Sequence, residues 1–373
     1  MQAYAGTPVV EGNRVELLLN GDEIFPAKLA LIRAAKKNIN FSQYVFEEGE
    51  AAAQIANELA QKCRQGVVVN VLLDAVGSLS MPAEYKQEMT DGGCHFEWFR
   101  PLSSFALDRL NYRNHRRILV VDGRIGITGG SGLSGKWGGD GHTKDHWRDT
   151  DVLVEGPVVE QLQAAFVENW LETTGVALGG DDYFPRLSRR GPLAAQAVRS
   201  SPASGSAAMY TTFLLAMAAA KKSIYITNPY FVPEDKMVQT LLDARRRGVR
   251  VAIILPGAID HNIVRQASRK ELGPLLKAGV EIYEYQPALL HSKTMVIDGI
   301  WATVGSTNLD PRSFALNDEL NLVVYNDGVA ERLEKVFAQD LSASRQLTYE
   351  RWAHRGLYNR FLEVLSTPIR DQL

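Results

Sequence analysis

A set of segments occurs twice in this chain, and that repetition constrains the fold more than any other feature. The run Ala35-Lys-Lys-Asn-Ile-Asn-Phe-Ser-Gln-Tyr-Val-Phe46 returns as Ala220-Lys-Lys-Ser-Ile-Tyr-Ile-Thr-Asn-Pro-Tyr-Phe231. Gln65-Gly-Val-Val-Val-Asn-Val-Leu-Leu73 returns as Arg247-Gly-Val-Arg-Val-Ala-Ile-Ile-Leu255, and Gly93-Cys-His-Phe-Glu-Trp-Phe99 as Gly279-Val-Glu-Ile-Tyr-Glu-Tyr285. Finally, His115-Arg-Arg-Ile-Leu-Val-Val-Asp-Gly123 returns as His291-Ser-Lys-Thr-Met-Val-Ile-Asp-Gly299. Matches in one order at a nearly constant offset mark a duplicated unit. With 373 residues, the chain is long enough for a pseudo-symmetric pair of such units.

Each unit reads as strands alternating with helices. Residues 26–37 and 206–222 have the Ala, Leu and Lys content and apolar spacing of helices. The β-branched runs 67–73 and 249–255 are apolar on both sides and follow a glycine, as buried strands do. The expected fold class is α/β: two pseudo-symmetric α/β/α sandwich halves with mixed sheets and one shared active site. The expected boundaries are 14–178 for the first half, 179–205 for a linker, 206–345 for the second half and 346–373 for an amphipathic C-terminal segment. The linker reading rests on the polar, Gly- and Ser-rich stretches around 179–182 and 199–205.

The chemistry lies in the last repeated segment. His291 and Lys293 are two apart, so on a strand both side chains leave one face. Asp298-Gly299 reads as a tight turn, and Trp301–Val304 as the returning strand that leads into Gly305-Ser306-Thr307-Asn308. The hairpin brings one imidazole, one cation, one hydroxyl and one amide toward a single end of a sheet, a set suited to a phosphate. The first copy has His115 and Arg117, a turn at Asp122-Gly123, and Gly129-Gly130-Ser131-Gly132 in place of the Gly-Ser-Thr-Asn run. Two such hairpins facing each other place two histidines across one pocket. One attacks phosphorus, and the other protonates the leaving alcohol and deprotonates the incoming one. Asp122 and Asp298, at the turns, read as structural.

The duplicated pattern HxKx4D followed by GSxN resembles the phospholipase D superfamily over residues 14 to 345. Asn114–Gly130, Trp147-Arg-Asp-Thr-Asp-Val-Leu-Val-Glu-Gly-Pro157 and Trp301-Ala-Thr-Val-Gly-Ser-Thr-Asn-Leu-Asp-Pro311 resemble bacterial cardiolipin synthases. The resemblance implies His115 as nucleophile and His291 as acid and base, with Lys293 and Arg117 as phosphate-facing cations. It implies one carboxylate to orient each imidazole: Asp149 for His115 and Glu319 for His291. Ser306, Asn308, Gly130, Asn228 and Tyr230 are the expected substrate-binding positions. The implied reaction is phosphatidyl transfer through a phosphohistidine, with phosphatidylglycerol as donor and acceptor, or phospholipase D hydrolysis. The first copy departs from the pattern at Arg117, which is bulkier than lysine, and at Gly130 and Gly132, which remove a hydroxyl and an amide donor.

Other readings are narrower. The net charge of −2 gives no global basic field, so a nuclease is the less favoured alternative; a lipid-binding pseudoenzyme is the other. Gly130-Ser-Gly-Leu-Ser-Gly135 matches a dinucleotide fingerprint but runs into another loop, so these glycines read as a flexible pocket rim. His142, Asp145 and His146 read as a solvated loop, and neither metal nor cofactor is expected. Cys63 and Cys94 read as reduced core thiols. No signal peptide or spanning segment is evident, which points to a cytoplasmic protein on the inner face of the cell membrane. The expected partners are a phospholipid and, peripherally, the membrane surface; the amphipathic residues 349–369 read as packing on the domain, with membrane contact as the alternative, and a monomer suffices for the site.

Overall fold

A computed structural model describes residues 2–101, 111–203, 205–257 and 271–354. The first half contributes strands β1 (Val10–Leu19), β2 (Asn38–Gln43), β3 (Val68–Asp74), β4 (His95–Phe99), β5 (Arg113–Asn114), β6 (Ile118–Val121), β7 (Ile125–Gly129) and β8 (Thr150–Glu155). The second contributes β9 (Leu193–Ser200), β10 (Ser223–Thr227), β11 (Arg250–Pro256), β12 (Glu281–Tyr285), β13 (Thr294–Ile297), β14 (Trp301–Gly305), β15 (Asn317–Tyr325) and β16 (Ser344–Leu347). They form one mixed sheet ordered β16-β12-β11-β10-β13-β14-β15-β9-β1-β8-β7-β6-β2-β3-β4, with β5 beside β15.

Apart from β16 at one edge, the order reads alike from β12 and from β4 toward the β1–β9 pair, so the pseudo-twofold lies between these two antiparallel strands. β9 is thus the counterpart of β1. It lies within the stretch read as a linker, and its alternating small residues, LAAQAVRS, gave no strong strand signal. Helices cover both faces of the sheet. Helix Glu50–Arg64 buries Ala52, Ile55, Ala56, Leu59 and Ala60, the three-to-four spacing of a core-facing stripe. Helices Val159–Thr174 and Asp327–Ser342 follow β8 and β15 in equivalent places along the two halves.

The two Asp-Gly turns are built alike. Asp122 and Gly123 have φ of 54° and 62°, and Asp298 and Gly299 have 55° and 68°. Two consecutive left-handed residues close the tight β6–β7 and β13–β14 hairpins with the right-handed twist of their strands. Each aspartate then clasps a neighbouring strand. Asp122 Oδ1 accepts from Lys37 N (2.7 Å) and Asn38 N (3.0 Å), at the start of β2. Asp298 accepts from Lys221, Lys222 and Ser223 N at 2.8, 2.7 and 2.9 Å, at the start of β10. Both carboxylates therefore sit at the end of the hairpin away from its histidine.

Cys63 and Cys94 are joined as a disulfide, which corrects the reading of reduced thiols. The last turn of helix Glu50–Arg64 lies over the loop into β4, and the two Cα atoms come within 5.6 Å. Of the amphipathic C-terminal segment, helix Tyr349–Ala353 is described, and residues 355–369 lie outside the described residues. No helix of the described residues is long and apolar enough to cross a membrane.

Asp298→Ala removes the acceptor for three backbone N–H groups and puts a Cβ residue without a local hydrogen bond at positive φ. The expected loss is about 2–4 kcal/mol, and about half of that for Asp298→Asn. Urea unfolding, with an unchanged slope, measures both.

Candidate active site

The site forms because each half lays its histidine segment along the other half. β5 runs parallel to the start of β15, with Arg113 opposite Asn317 and Asn114 opposite Asp318. His115 N then donates to Asp318 O at 2.9 Å. In the related place, Leu290 bridges to Arg148 in parallel, and His291 N donates to Arg148 O at 2.7 Å. The chain entering each histidine therefore lies beside the chain entering the other half's acidic residue.

The dyads are consequently crossed. His115 Nδ1 lies 2.9 and 3.1 Å from the two Glu319 carboxylate oxygens, and His291 Nδ1 lies 2.7 Å from Asp149 Oδ2. The expected pairing of Asp149 with His115 and Glu319 with His291 is corrected to its opposite. Within a half, β7 or β14 separates the histidine segment from the acid-bearing one. Two interstrand spacings amount to about 10 Å, beyond hydrogen-bond reach.

All six side chains are buried: His115, His291, Glu319, Asp149, Arg117 and Lys293. Arg117 Nη2 lies 2.9 Å from His115 Nε2. With Nδ1 donating to Glu319 and Nε2 facing a guanidinium, His115 is the neutral Nδ1–H tautomer, its Nε2 lone pair directed into the site. Lys293 Nζ lies 2.9 and 3.0 Å from the two ring nitrogens of His291 and donates to His291 O at 2.6 Å. Reaching both nitrogens places this ammonium over the ring.

Burial pushes the His115 imidazole well below its ordinary value, and Arg117 and Lys293 add to it. Burial and Lys293 take His291 down to about 4, against the pull of Asp149. Both imidazoles are thus neutral at pH 7. Each feels a cation of the other half, Lys293 on His115 and Arg117 on His291, so the two hairpins share one site. The carboxyls differ. Burial pushes Glu319 up to about 8, whereas for Asp149 the neighbouring His291, Lys293 and Trp137 N–H outweigh burial and hold it well below the carboxylate range.

The residues expected to bind substrate divide. Tyr230 is in the wall, its ring centroid 6.4 Å from that of His291. Asn308 is buried, with Oδ1 unpartnered. Ser306, however, directs its hydroxyl to the Glu319 carboxylate and accepts from Leu320 N at 3.0 Å. Asn228 accepts from Leu309 N and Tyr230 N, holding the loop after β14. Both are engaged with the protein itself. Gly130 and Gly132 are buried, not a flexible rim. A Cβ on Gly130 would meet Asp149 Oδ1 at 2.2 Å, and one on Gly132 would meet the Trp137 ring at 2.9 Å. His142 is exposed, and no group of three or more possible metal ligands occurs among the described residues.

Three aromatic residues complete the surroundings. Tyr44 lies edge-on to His115 with centroids 4.9 Å apart, and Trp137 and Trp147 flank His291 at 5.2 and 5.4 Å. Neither tryptophan reads as a site residue in the sequence, because their loop is rich in glycine and charge. A pair of indoles in such a loop was the available signal, since residues of this size are mostly buried. Arg116, also missed, is fully buried and binds Asn169 Oδ1 (2.7 Å), Ala165 O (2.9 Å) and Ser200 O (3.0 Å), tying helix Val159–Thr174 to the second half.

Two histidine–carboxylate dyads with a cation each, on a duplicated α/β half, define a phospholipase D-type enzyme. Residues 29–170 and 214–341 match the family model described as "Cardiolipin synthase, PLD-like domain", and the chain belongs to that family. It is 34% identical to Cardiolipin synthase 1 of Bacillus cereus over 372 residues, covering 97% of this chain and 73% of that protein. It is 36% identical to a cardiolipin synthase of Staphylococcus aureus over 357 residues, 95% and 72% of the two chains. The fold matches that of phosphatidylserine synthase from Haemophilus influenzae with a TM-score of 0.79 at 16% identity, over 100% of this chain and 98% of that one.

The crossed dyads have a direct spectroscopic consequence. Glu319→Gln is expected to move the imidazole 15N signals of His115 and leave those of His291, and Asp149→Asn to do the reverse. A response within each half instead of across them would refute the crossing.

Proposed function

We propose that this chain transfers a phosphatidyl group from one phospholipid to the alcohol of a second, phosphatidylglycerol serving as both donor and acceptor. The observation that carries the reading is the pair of crossed imidazole–carboxylate dyads, each with its own cation, in one buried site. The lipid class is supported by the relatives named above.

In this mechanism His115 Nε2 attacks phosphorus and the bond to the leaving alcohol oxygen breaks, while His291 gives that oxygen a proton. The acceptor hydroxyl then attacks the phosphohistidine, His291 takes its proton, and the P–N bond breaks. Each residue suits its part. His115 is neutral, and its Nε2 lone pair, which meets Arg117 Nη2 at 2.9 Å, is released for attack when the guanidinium turns to the phosphate. His291 faces an ionised Asp149, which favours the proton that an acid must carry once an anionic phosphodiester enters. Arg117 and Lys293, buried against the two imidazoles, exchange those contacts for the non-bridging oxygens and stabilise the charge that develops there. Water in the acceptor's place gives hydrolysis by the same steps.

One chain supplies both histidines, so a monomer is sufficient. Its substrates reside in a bilayer, and we place the enzyme peripherally on the cytoplasmic face of the cell membrane. Purified protein incubated with phosphatidylglycerol vesicles is expected to yield cardiolipin and glycerol by mass spectrometry. His115→Ala and His291→Ala are each expected to lower the rate by about a thousandfold or more. Phosphatidic acid as the sole product would make water the acceptor. Absence of any lipid product, with cleavage of single-stranded DNA, would replace the reading with a nuclease.

A further inference from the structure

We propose that Trp137 is the positioning residue of the Asp149–His291 dyad, performing in the first half the task that Ser306 performs in the second. The equivalence follows from the repeat. Glu319 and Asp149 are counterparts, as are Ser306 and Gly130, and Asn308 and Gly132. In the second half Ser306 Oγ donates to the Glu319 carboxylate. In the first half that donor is missing from the backbone position, and Trp137 Nε1 donates instead to Asp149 Oδ2 at 2.8 Å. Asp149 Oδ2 is the same oxygen that meets His291 Nδ1 at 2.7 Å.

The two glycines are the space this exchange requires. A Cβ on Gly130 would stand 2.2 Å from Asp149 Oδ1, so the shorter acid approaches the backbone only where there is no side chain. A Cβ on Gly132 would stand 2.9 Å from Trp137 Cη2 and Cζ3 and 3.1 Å from Val45 Cβ, so the indole occupies the volume of a side chain there. The indole also packs edge-on against His291, centroids 5.2 Å apart and planes at 84°. It therefore holds both members of the dyad. Thr150 N, at 2.8 Å, remains as the donor to Asp149 Oδ1. The charged groups facing the dyad are Lys293 and Arg117.

The inference rests on the proposed phosphohistidine chemistry for its kinetic test alone. Trp137→Phe keeps an aromatic ring and removes the N–H. One charge-assisted hydrogen bond lost is expected to lower kcat by about tenfold or more, with KM within about twofold. Without the N–H, Asp149 becomes a stronger base and the His291 imidazolium better held, so both titrate higher. The acidic limb of the kcat profile moves to higher pH, and the imidazole 15N signals of His291 shift while those of His115 stay. Should Trp137→Phe fail to fold, Gly132→Ala, which leaves the indole intact but displaces it, is expected to produce the same pattern.

A folded variant with unchanged kcat and unchanged His291 signals would overturn the proposal. So would a lowered melting temperature with the His291 signals unmoved, since that is what a merely structural tryptophan does. If the wild-type enzyme turns over no lipid, the proposed function fails, and the His291 signals still decide the role of Trp137.

Discussion

Two short parallel contacts hold this site together: β5 along the start of β15, and Leu290 along Arg148. Each places a histidine beside the carboxylate of the other half. Neither half contains a complete dyad, so the duplicated units are of use only when docked. Docking also buries charge, which is costly unless the partners are satisfied. The described residues meet that condition both within the first half and, through Arg148 and Asp340, between the halves. Arg113 pairs with Asp74 at 3.0 Å, Lys28 with Asp151 at 2.9 Å and Arg148 with Asp340 at 3.1 Å, all buried. Removing one partner of such a pair generally destabilises by about 3–5 kcal/mol, because the other charge is stranded. The frame around the histidines is therefore rigid for the same reason that it is polar.

Rigidity is what the chemistry needs. The cations and imidazoles are buried together, with Tyr44, Trp137, Trp147 and Tyr230 packed around them. Hydrogen-bond donors in such a place are worth more than in water. The pseudo-symmetry is broken at the two carboxyl groups beside the histidines. Glu319 is long, bonded to Ser306 and pushed toward neutrality; Asp149 is short, bonded to Trp137 and held ionised. Similar backbones thus present one imidazole beside a charge and one beside a dipole.

Much of this was legible in the sequence, because the signals are local. An Asp-Gly pair after a β-branched run specifies a tight hairpin, and residues two apart on a strand share a face. These two rules bring His115 to Arg117 and His291 to Lys293, although the structure puts all four in the segments just before β6 and β13. The repeat itself supplied the α/β class and the two-half organisation. The failures share a different origin. β9 reads as LAAQAVRS, small residues that form a strand only because β1 and β15 flank it. The Cys63–Cys94 bridge depends on how a helix end meets a loop.

The sequence by itself determined the repeat, the turns, the facing of each cation with its histidine, and hence the class of chemistry. These follow from backbone periodicity and from φ values that only a few residue types tolerate. The tertiary structure alone decided which carboxylate meets which histidine, what replaces the missing serine beside Asp149, and why Gly130 and Gly132 are glycines. Those are contacts between segments far apart in the chain, Glu319 with His115 and Trp137 with the volume above Gly132. Spacing along one strand carries no information about which strand of the other half lies next to it.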